Sequence, residues 1–292
     1  MRLFSFLDYL LETKSRPVVI EKQLRRAERV AWRALRRSRS PQIVAALGEL
    51  ASVFRLWGYR EGAEKLEQAC AARSAAPVKD DPIARDFLDI AGDIRKIHDQ
   101  VRETFDLAAQ DEEHFPSTID PRICHVQVIV EFLGDLAGRR ALDVGCGKGR
   151  FARLLKERYP DAEIWGLDIS AEMLRHVPPE ISTRQGSMTD LPFPDGFFDA
   201  AYATESLEHA VGIGTAIDEI CRVVRPEGRI VIIDKNAEHT GRLTTPPWEK
   251  WFGRRELERL LARHCREVSS DFISYWADVA PDGLFLAWKA VR

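Results

Sequence analysis

The chain has 292 residues, 45% hydrophobic and 30% charged, with a formal net charge of −3. That is enough material for one large or two ordinary globular domains, each with a core. The charge argues against a generic polyanion binder, and no apolar run approaches the ~20 residues of a membrane span.

The first stretch, MRLFSFLDYLLETK, holds Asp8 and Glu12 and no small-residue cleavage site, so it does not read as a signal peptide. The five cysteines (Cys70, Cys124, Cys146, Cys221, Cys265) form no C-x-x-C pair. That usage predicts a reducing, cytoplasmic setting and neither a disulfide frame nor a thiolate zinc site.

Residues 1–115 read as an α-helical N-terminal domain. In IVAALGELASVF, Ile43, Leu47, Leu50 and Phe54 recur at helical spacing. Ile83, Phe87, Ile90, Ile94, Ile97, Val101 and Phe105 continue that rhythm, with Asp81 as cap and Pro82 in the first turn. The near-heptad period suits a helix lying on its own domain and also admits a homodimer seam. Residues 1–40 hold 11 Lys/Arg against 4 Asp/Glu, whereas residues 80–120 hold 4 against 12. The basic stretch KQLRRAERVAWRALRRSRS is either a solvated helix face, a partner for the acidic helix, or a dock for RNA or an acidic carrier protein.

Residues 116–292 alternate strand and helix from residue 138 onward. RRALDVG, AEIWGLDI, EISTRQGS, GFFDAAYAT and GRIVIIDKN read as strands. GRFARLLKERY, SAEMLRHV, GIGTAIDEICRVV and RRELERLLARH read as helices, and CREVSSDFISY and GLFLAWKAV as two late strands. The pattern predicts an α/β doubly wound, mostly parallel sheet that binds ligands beyond its strands' carboxyl ends.

The first strand runs into LDVGCGKGRF, with Asp143, Gly145, Gly147 and Gly149. It lacks the third glycine of a dinucleotide fingerprint and the G-K-[ST] of a phosphate loop. Asp143 would repel a pyrophosphate but suits the ammonium and sulfonium of S-adenosylmethionine. Asp168, ending the second strand, stands where a carboxylate can accept from both ribose hydroxyls, or where it caps the helix near Ser170.

ALDVGCGKGRFARLL, IWGLDIS, GSMTDLPFPDGFFDAAYATESLEHA and EICRVVRPEGRIVIID, in that order, resemble the class I S-adenosylmethionine-dependent methyltransferases with a type 11 core. The resemblance implies a seven-stranded Rossmann-like sheet whose last strand is antiparallel. It implies that Gly145, Cys146, Gly147 and the backbone near Lys148 hold the methionine moiety and that Asp168 binds the ribose. Ile169 would lie beside the adenine, Ser187 and Met188 near its amino group, and Thr204 near the reactive end. Many relatives have Asp where this chain has Ser187, a weaker acceptor.

TESLEHA follows the fourth strand, and on a helix Glu205, Glu208 and His209 would share one face. Three readings stand: the residues satisfy backbone groups; His209 is a general base oriented by a glutamate; or the three bind Mg²⁺ or Mn²⁺, with His239 as a further ligand. The last rests on a resemblance of E-x-x-E-H to small-RNA 2′-O-methyltransferases and some ubiquinone-pathway O-methyltransferases. Pocket residues are expected from the loop with Pro246, Pro247, Trp248, Trp251 and Phe252, and from His114, Phe115 and His125. The function expected is methyl transfer to a small-molecule acceptor, more on oxygen than on nitrogen or carbon. The alternatives are a methyltransferase acting on RNA or a carrier-bound substrate, and a non-catalytic cofactor-binding subunit.

Overall fold

The computed structural model describes residues 28–29, 31–32, 44, 47–48, 50–51, 60–71, 99–210, 212–245, 249–276 and 278–292. Most of the basic N-terminal stretch, the Asp81–Pro82 cap and the residues Pro246, Pro247 and Trp248 lie outside them. The chain divides into two compact units, Met1–Gln100 and Val101–Arg292. In the first, every described residue from 28 to 71 is helical, including α1 (Arg60–Ala71). Leu47, Leu50, Ala51, Ala63 and Leu66 are buried there.

The second unit begins with the continuation of a helix described over residues 99–108, α2, followed by α3 (Cys124–Leu133). β1 (Arg140–Val144), α4 (Arg150–Arg158), β2 (Glu163–Asp168), α5 (Ala171–Leu174), β3 (Ser182–Gln185) and β4 (Phe198–Thr204) come next. α6 (Ile213–Val223), β5 (Val224–Lys235), α7 (Arg254–Leu261), β6 (Glu267–Ile273) and β7 (Phe285–Val291) complete it. The strands form one seven-stranded sheet in the order β3-β2-β1-β4-β5-β7-β6. The first five are parallel, and β7 runs antiparallel to both β5 and β6. This is the doubly wound architecture expected.

Strand side chains alternate between two cores, as the two-residue pleat requires. Leu142, Val144, Ala201, Ala203, Ile230, Ile232 and Trp288 pack with α6 and α7. Ala141, Ala200, Tyr202, Val231, Ile233 and Ala287 pack with α3 and α4. α3 buries Val126, Ile129 and Leu133, a helical spacing hidden within an almost continuous apolar run that does not separate helix from strand.

β1 lies between β2 and β4, so strand order reverses at the β1–β4 pair. Crevices at such reversals are where open α/β sheets take ligands. On the far side, Trp288 is fully buried in β7, donates Nε1 to the Arg254 carbonyl at 2.9 Å, and meets Phe252 edge-on at 6.4 Å. Phe252 closes the loop after β5. Trp288→Ala is therefore expected to lower the unfolding free energy of the sheet unit by about 3–5 kcal/mol, measured by urea denaturation. A loss below about 1 kcal/mol would show that this contact does not hold the loop side of the core.

Candidate active site

The glycine loop is fixed from two sides. The Gly145 and Cys146 amides both donate to the Leu167 carbonyl, at 2.7 and 3.0 Å, which ties the loop to β2. Ser206 Oγ donates to the Val144 carbonyl at 2.7 Å, which ties it to the turn after β4. Gly145 takes φ +74°, and a Cβ there would lie 2.5 Å from Ser206 Cβ, so only glycine lets the two segments meet. Gly147 also has positive φ, +52°, but a Cβ there would meet nothing within 4 Å, so this part of the loop faces open space. The Cys146 thiol does not join that face: its sulfur packs over Gly166 of β2.

Asp168 is buried and braces the loop. Its Oδ2 accepts from the Gly147 amide at 2.8 Å and its Oδ1 from the Ser170 amide at 2.9 Å. Burial pushes the carboxyl up, while these backbone bonds oppose the shift. The cap of α5 is Ser170 itself, whose Oγ accepts from the Met173 amide at 3.0 Å. Ser170 Oγ in turn donates to Asp106 of α2 at 2.5 Å. Ile169 is half-buried. The Ser187 hydroxyl is shared with Thr189 Oγ1 at 2.7 Å, and Met188 Cε lies close to Gly145. The buried Lys148 ammonium donates to Glu112 Oε1 at 2.7 Å and to the Asp111 carbonyl at 3.1 Å, so the segment before α3 is strapped to the loop.

Asp143 stands opposite Tyr202 across the β1–β4 pair, and both are buried. Burial, with Asp168 nearby, pushes the Asp143 carboxyl up to about 7, against the opposing effect of Tyr202. Asp143 Oδ2, Tyr202 Oη, Thr204 Oγ1, Glu208 Oε2, His209 Nδ1 and both nitrogens of His125 are buried without a hydrogen-bond partner among the described residues. Orphaned polar atoms cost about 1–3 kcal/mol each; apart from His125 on α3 and Arg153 Nε on α4, those here belong to the last residues of β1 and β4 and the turn that follows β4. They mark a place where a polar ligand or water supplies partners.

TESLEHA is not an α-helix. Glu205 has φ +50°, and Leu207–His209 form a single 3-10 turn. The left-handed residue sends the two glutamates to opposite sides, correcting the shared-face expectation. Glu205 Oε1 lies 3.3 Å from Arg150 Nη2 and 3.9 Å from His125 Nε2. His125 is held neutral, since burial pulls it down to about 4. Glu208 is 1% exposed and turns toward Lys235 and Asp234. His209 Nε2 lies 3.5 Å from Glu208 Oε1, and its ring meets Phe105 edge-on at 5.0 Å. Burial, then the nearby Lys235 charge, pulls His209 down to about 3.

The cation ligand set expected from the sequence is not assembled. The described side chains whose ligand atoms lie within 4.8 Å of one another are Glu208, His209 and Glu249. Glu205 belongs to the Arg150 pair, and His239 Nδ1 lies 3.3 Å from Arg242 Nη1. The Lys235 ammonium donates to Glu208 Oε1 and stands 3.4 Å from Glu249 Oε1. Of the other pocket candidates, His114 is exposed beside Asp111, Phe115 meets Phe105 at 5.9 Å, and Trp251 Nε1 donates to Glu249 at 2.7 Å. Sequence reasoning missed Arg150, Tyr202, Asp234, Lys235 and Glu249. Asp234 and Lys235 were findable as charged residues ending an otherwise apolar parallel strand.

Residues 142–232 match the family described as a methyltransferase domain. Over 116 residues the chain is 37% identical to the O-methyltransferase cnsE of Penicillium expansum, covering 37% of this chain and 42% of that protein. Over 134 residues it is 33% identical to a fatty-acid O-methyltransferase of Mycolicibacterium smegmatis, covering 44% and 47%. The chain spans about half the length of the curated relatives it matches. The solved structure of the [4+2]-cyclase SpnF shares the fold with a TM-score of 0.54 at 19% identity, covering 67% of this chain and 96% of that one. Residues 142–232 thus resemble a methyltransferase domain in sequence, and the sheet unit has the fold of that solved structure. A shared fold does not by itself fix the reaction.

If Asp168 receives the ribose hydroxyls, Asp168→Ala weakens S-adenosylmethionine binding at least about tenfold, since a charge-assisted bond contributes about 1.5–3 kcal/mol. Calorimetry measures this directly, and unchanged affinity would remove the ribose assignment.

Proposed function

We propose that this methyltransferase-domain chain transfers the methyl group of S-adenosylmethionine to an oxygen of a small-molecule acceptor, with His209 accepting the acceptor's proton. The observation that carries the reading is the set of orphaned polar atoms around the carboxyl ends of β1 and β4, directly beside the glycine loop. The cnsE and M. smegmatis relatives, both named O-methyltransferases, support oxygen as the acceptor atom.

In this reading Gly145, Gly147 and the Lys148 backbone receive the methionine part. Asp168 takes the ribose, Ile169 and Met188 flank the adenine, and Thr204 Oγ1 lies near the reactive end. Asp143 supplies negative potential beneath the cationic cofactor. Bound S-adenosylmethionine supplies an activated methyl on a sulfonium, and the protein's work is mainly alignment of acceptor and donor. His209 has the geometry of a weak base: Nε2 faces Glu208, and Nδ1 has no partner among the described residues. Held down to about 3, it is neutral at any working pH. A base this weak takes the proton only as positive charge develops on the methylated oxygen. The Phe105 ring beside it, with Phe115 packed against Phe105, suits an acceptor with an apolar or planar body.

A cytoplasmic setting is part of the proposal, resting on the free cysteines. No helix among the described residues is long and apolar enough to cross a membrane. An RNA or acidic-carrier partner and a homodimer seam rest on stretches lying mostly outside the described residues.

Methyl-labelled S-adenosylmethionine, incubated with the protein and a size-fractionated extract of the source cells, tests the reading. Label is expected in the small-molecule fraction, and His209→Ala should lower it about 10²-fold or more with cofactor affinity preserved. No rate limb assignable to His209 is expected between about pH 6 and 8. Label confined to RNA or protein would overturn the small-molecule reading, and full transfer by His209→Ala would remove the base.

A further inference from the structure

Lys235 ends β5, and its Cα is fixed by the pairing with Phe285 of β7. Its ammonium reaches the buried Glu208 on one side and Glu249 on the other. Burial alone would lower its pKa, but Glu208, Asp234 and Glu249 outweigh burial and hold the charge in place. Glu249 belongs to the loop that follows β5, and its Oε1 also accepts from Trp251. The same loop is stitched back by the Lys250 amide to the Glu208 carbonyl at 2.9 Å, and by Phe252 N to the Lys235 carbonyl at 3.1 Å.

We infer that Lys235 is the resident cation of the catalytic turn: it occupies the ground between Glu208 and Glu249 that a divalent ion would need, and by bridging them it fastens the loop after β5 to the turn that carries His209. The inference builds on the proposed role of that turn. Two carboxylates and an imidazole with mutually close ligand atoms form a donor set suited to Mn²⁺ or Mg²⁺. A lysine ammonium inside the set repels such an ion and already neutralises one carboxylate charge. Lysine is a compact point charge, so it can stand between two carboxylates as an ion would. Lys235 is thus a positioning residue: it holds Glu208, which faces His209 Nε2, and the loop through Glu249. The residues do not fit a divalent metal while Lys235 is present.

The test reads metal binding and loop opening, not turnover. Mn²⁺ binding is followed by electron paramagnetic resonance with wild type, Lys235→Met and Lys235→Met/Glu249→Gln, each checked for folding by circular dichroism. Lys235→Met is expected to bind Mn²⁺ at least about tenfold more tightly than wild type, and the double variant to lose the gain. Amide exchange over residues 236–245 and 249–252 should speed up in Lys235→Met and slow again when Mn²⁺ is added. Equal Mn²⁺ affinity in wild type and Lys235→Met, or unchanged exchange, would overturn the inference. Should Lys235→Met not fold, wild type decides: tight Mn²⁺ binding that Glu208→Gln abolishes overturns it, and absence of such binding upholds it. Because neither readout needs an acceptor, failure here is distinguishable from failure of the methyl-transfer reading.

Discussion

A parallel sheet that reverses its strand order leaves a crevice where two neighbouring strands end, and polar groups buried there need partners. In this protein the crevice lies between β1 and β4. Asp143, Tyr202 and Thr204 reach it from the strands, while Glu208 and His209 approach from the turn that follows. Other charged groups pair by ordinary means: Arg222 serves Glu219, Asp195 and two carbonyls, and Asp199 accepts from Arg140 N and Arg225. The contrast is physical. The core side of the sheet is closed by side chains, whereas polar atoms at the carboxyl edge of β1 and β4 have no partner among the described residues.

The turn after β4 shows how one backbone conformation sorts chemistry. With Glu205 in the left-handed region, its carboxylate joins Arg150 at the glycine loop. The following 3-10 turn then buries Glu208 against Asp234 and Lys235. An α-helix would have put both glutamates on one face, where like charges repel. Separated, each has its own cation. Glu208 and Asp234 are nonetheless crowded: burial and their mutual charge push Glu208 up, and burial brings Asp234 to about 6 despite Lys235.

Much of this was legible in the sequence. Alternating apolar strands and amphipathic helices gave the doubly wound sheet, because a two-residue and a 3.6-residue period cannot be confused over long elements. The glycine loop and Asp168 were legible because the motif is local, and backbone freedom at Gly145 and Gly147 is needed wherever the chain must turn so tightly. What was not legible depends on distant pairings. Nothing in TESLEHA announces a positive φ at Glu205, and nothing in WEKWF announces that Glu249 returns to Lys235. The α3 helix was missed because its apolar run satisfies either period. The Ser187 hydroxyl pairs with Thr189 two residues on, a short-range contact that the strand pattern does not reveal.

The proposed function puts a cationic cofactor over Asp143. Burial pushes that carboxyl up to about 7, so at pH 6 it is mostly protonated. A sulfonium and an ammonium placed above it favour the anion and lower its pKa. Binding must then release a proton below pH 7, and affinity must rise as pH climbs from about 5 to 7 and level off above. The deciding measurement is calorimetry of S-adenosylmethionine binding at pH 6 in two buffers of different ionisation enthalpy, with Asp143→Asn as control. The native protein is expected to release close to one proton and the variant none attributable to position 143. Binding without proton release, with affinity flat across that range, would contradict it.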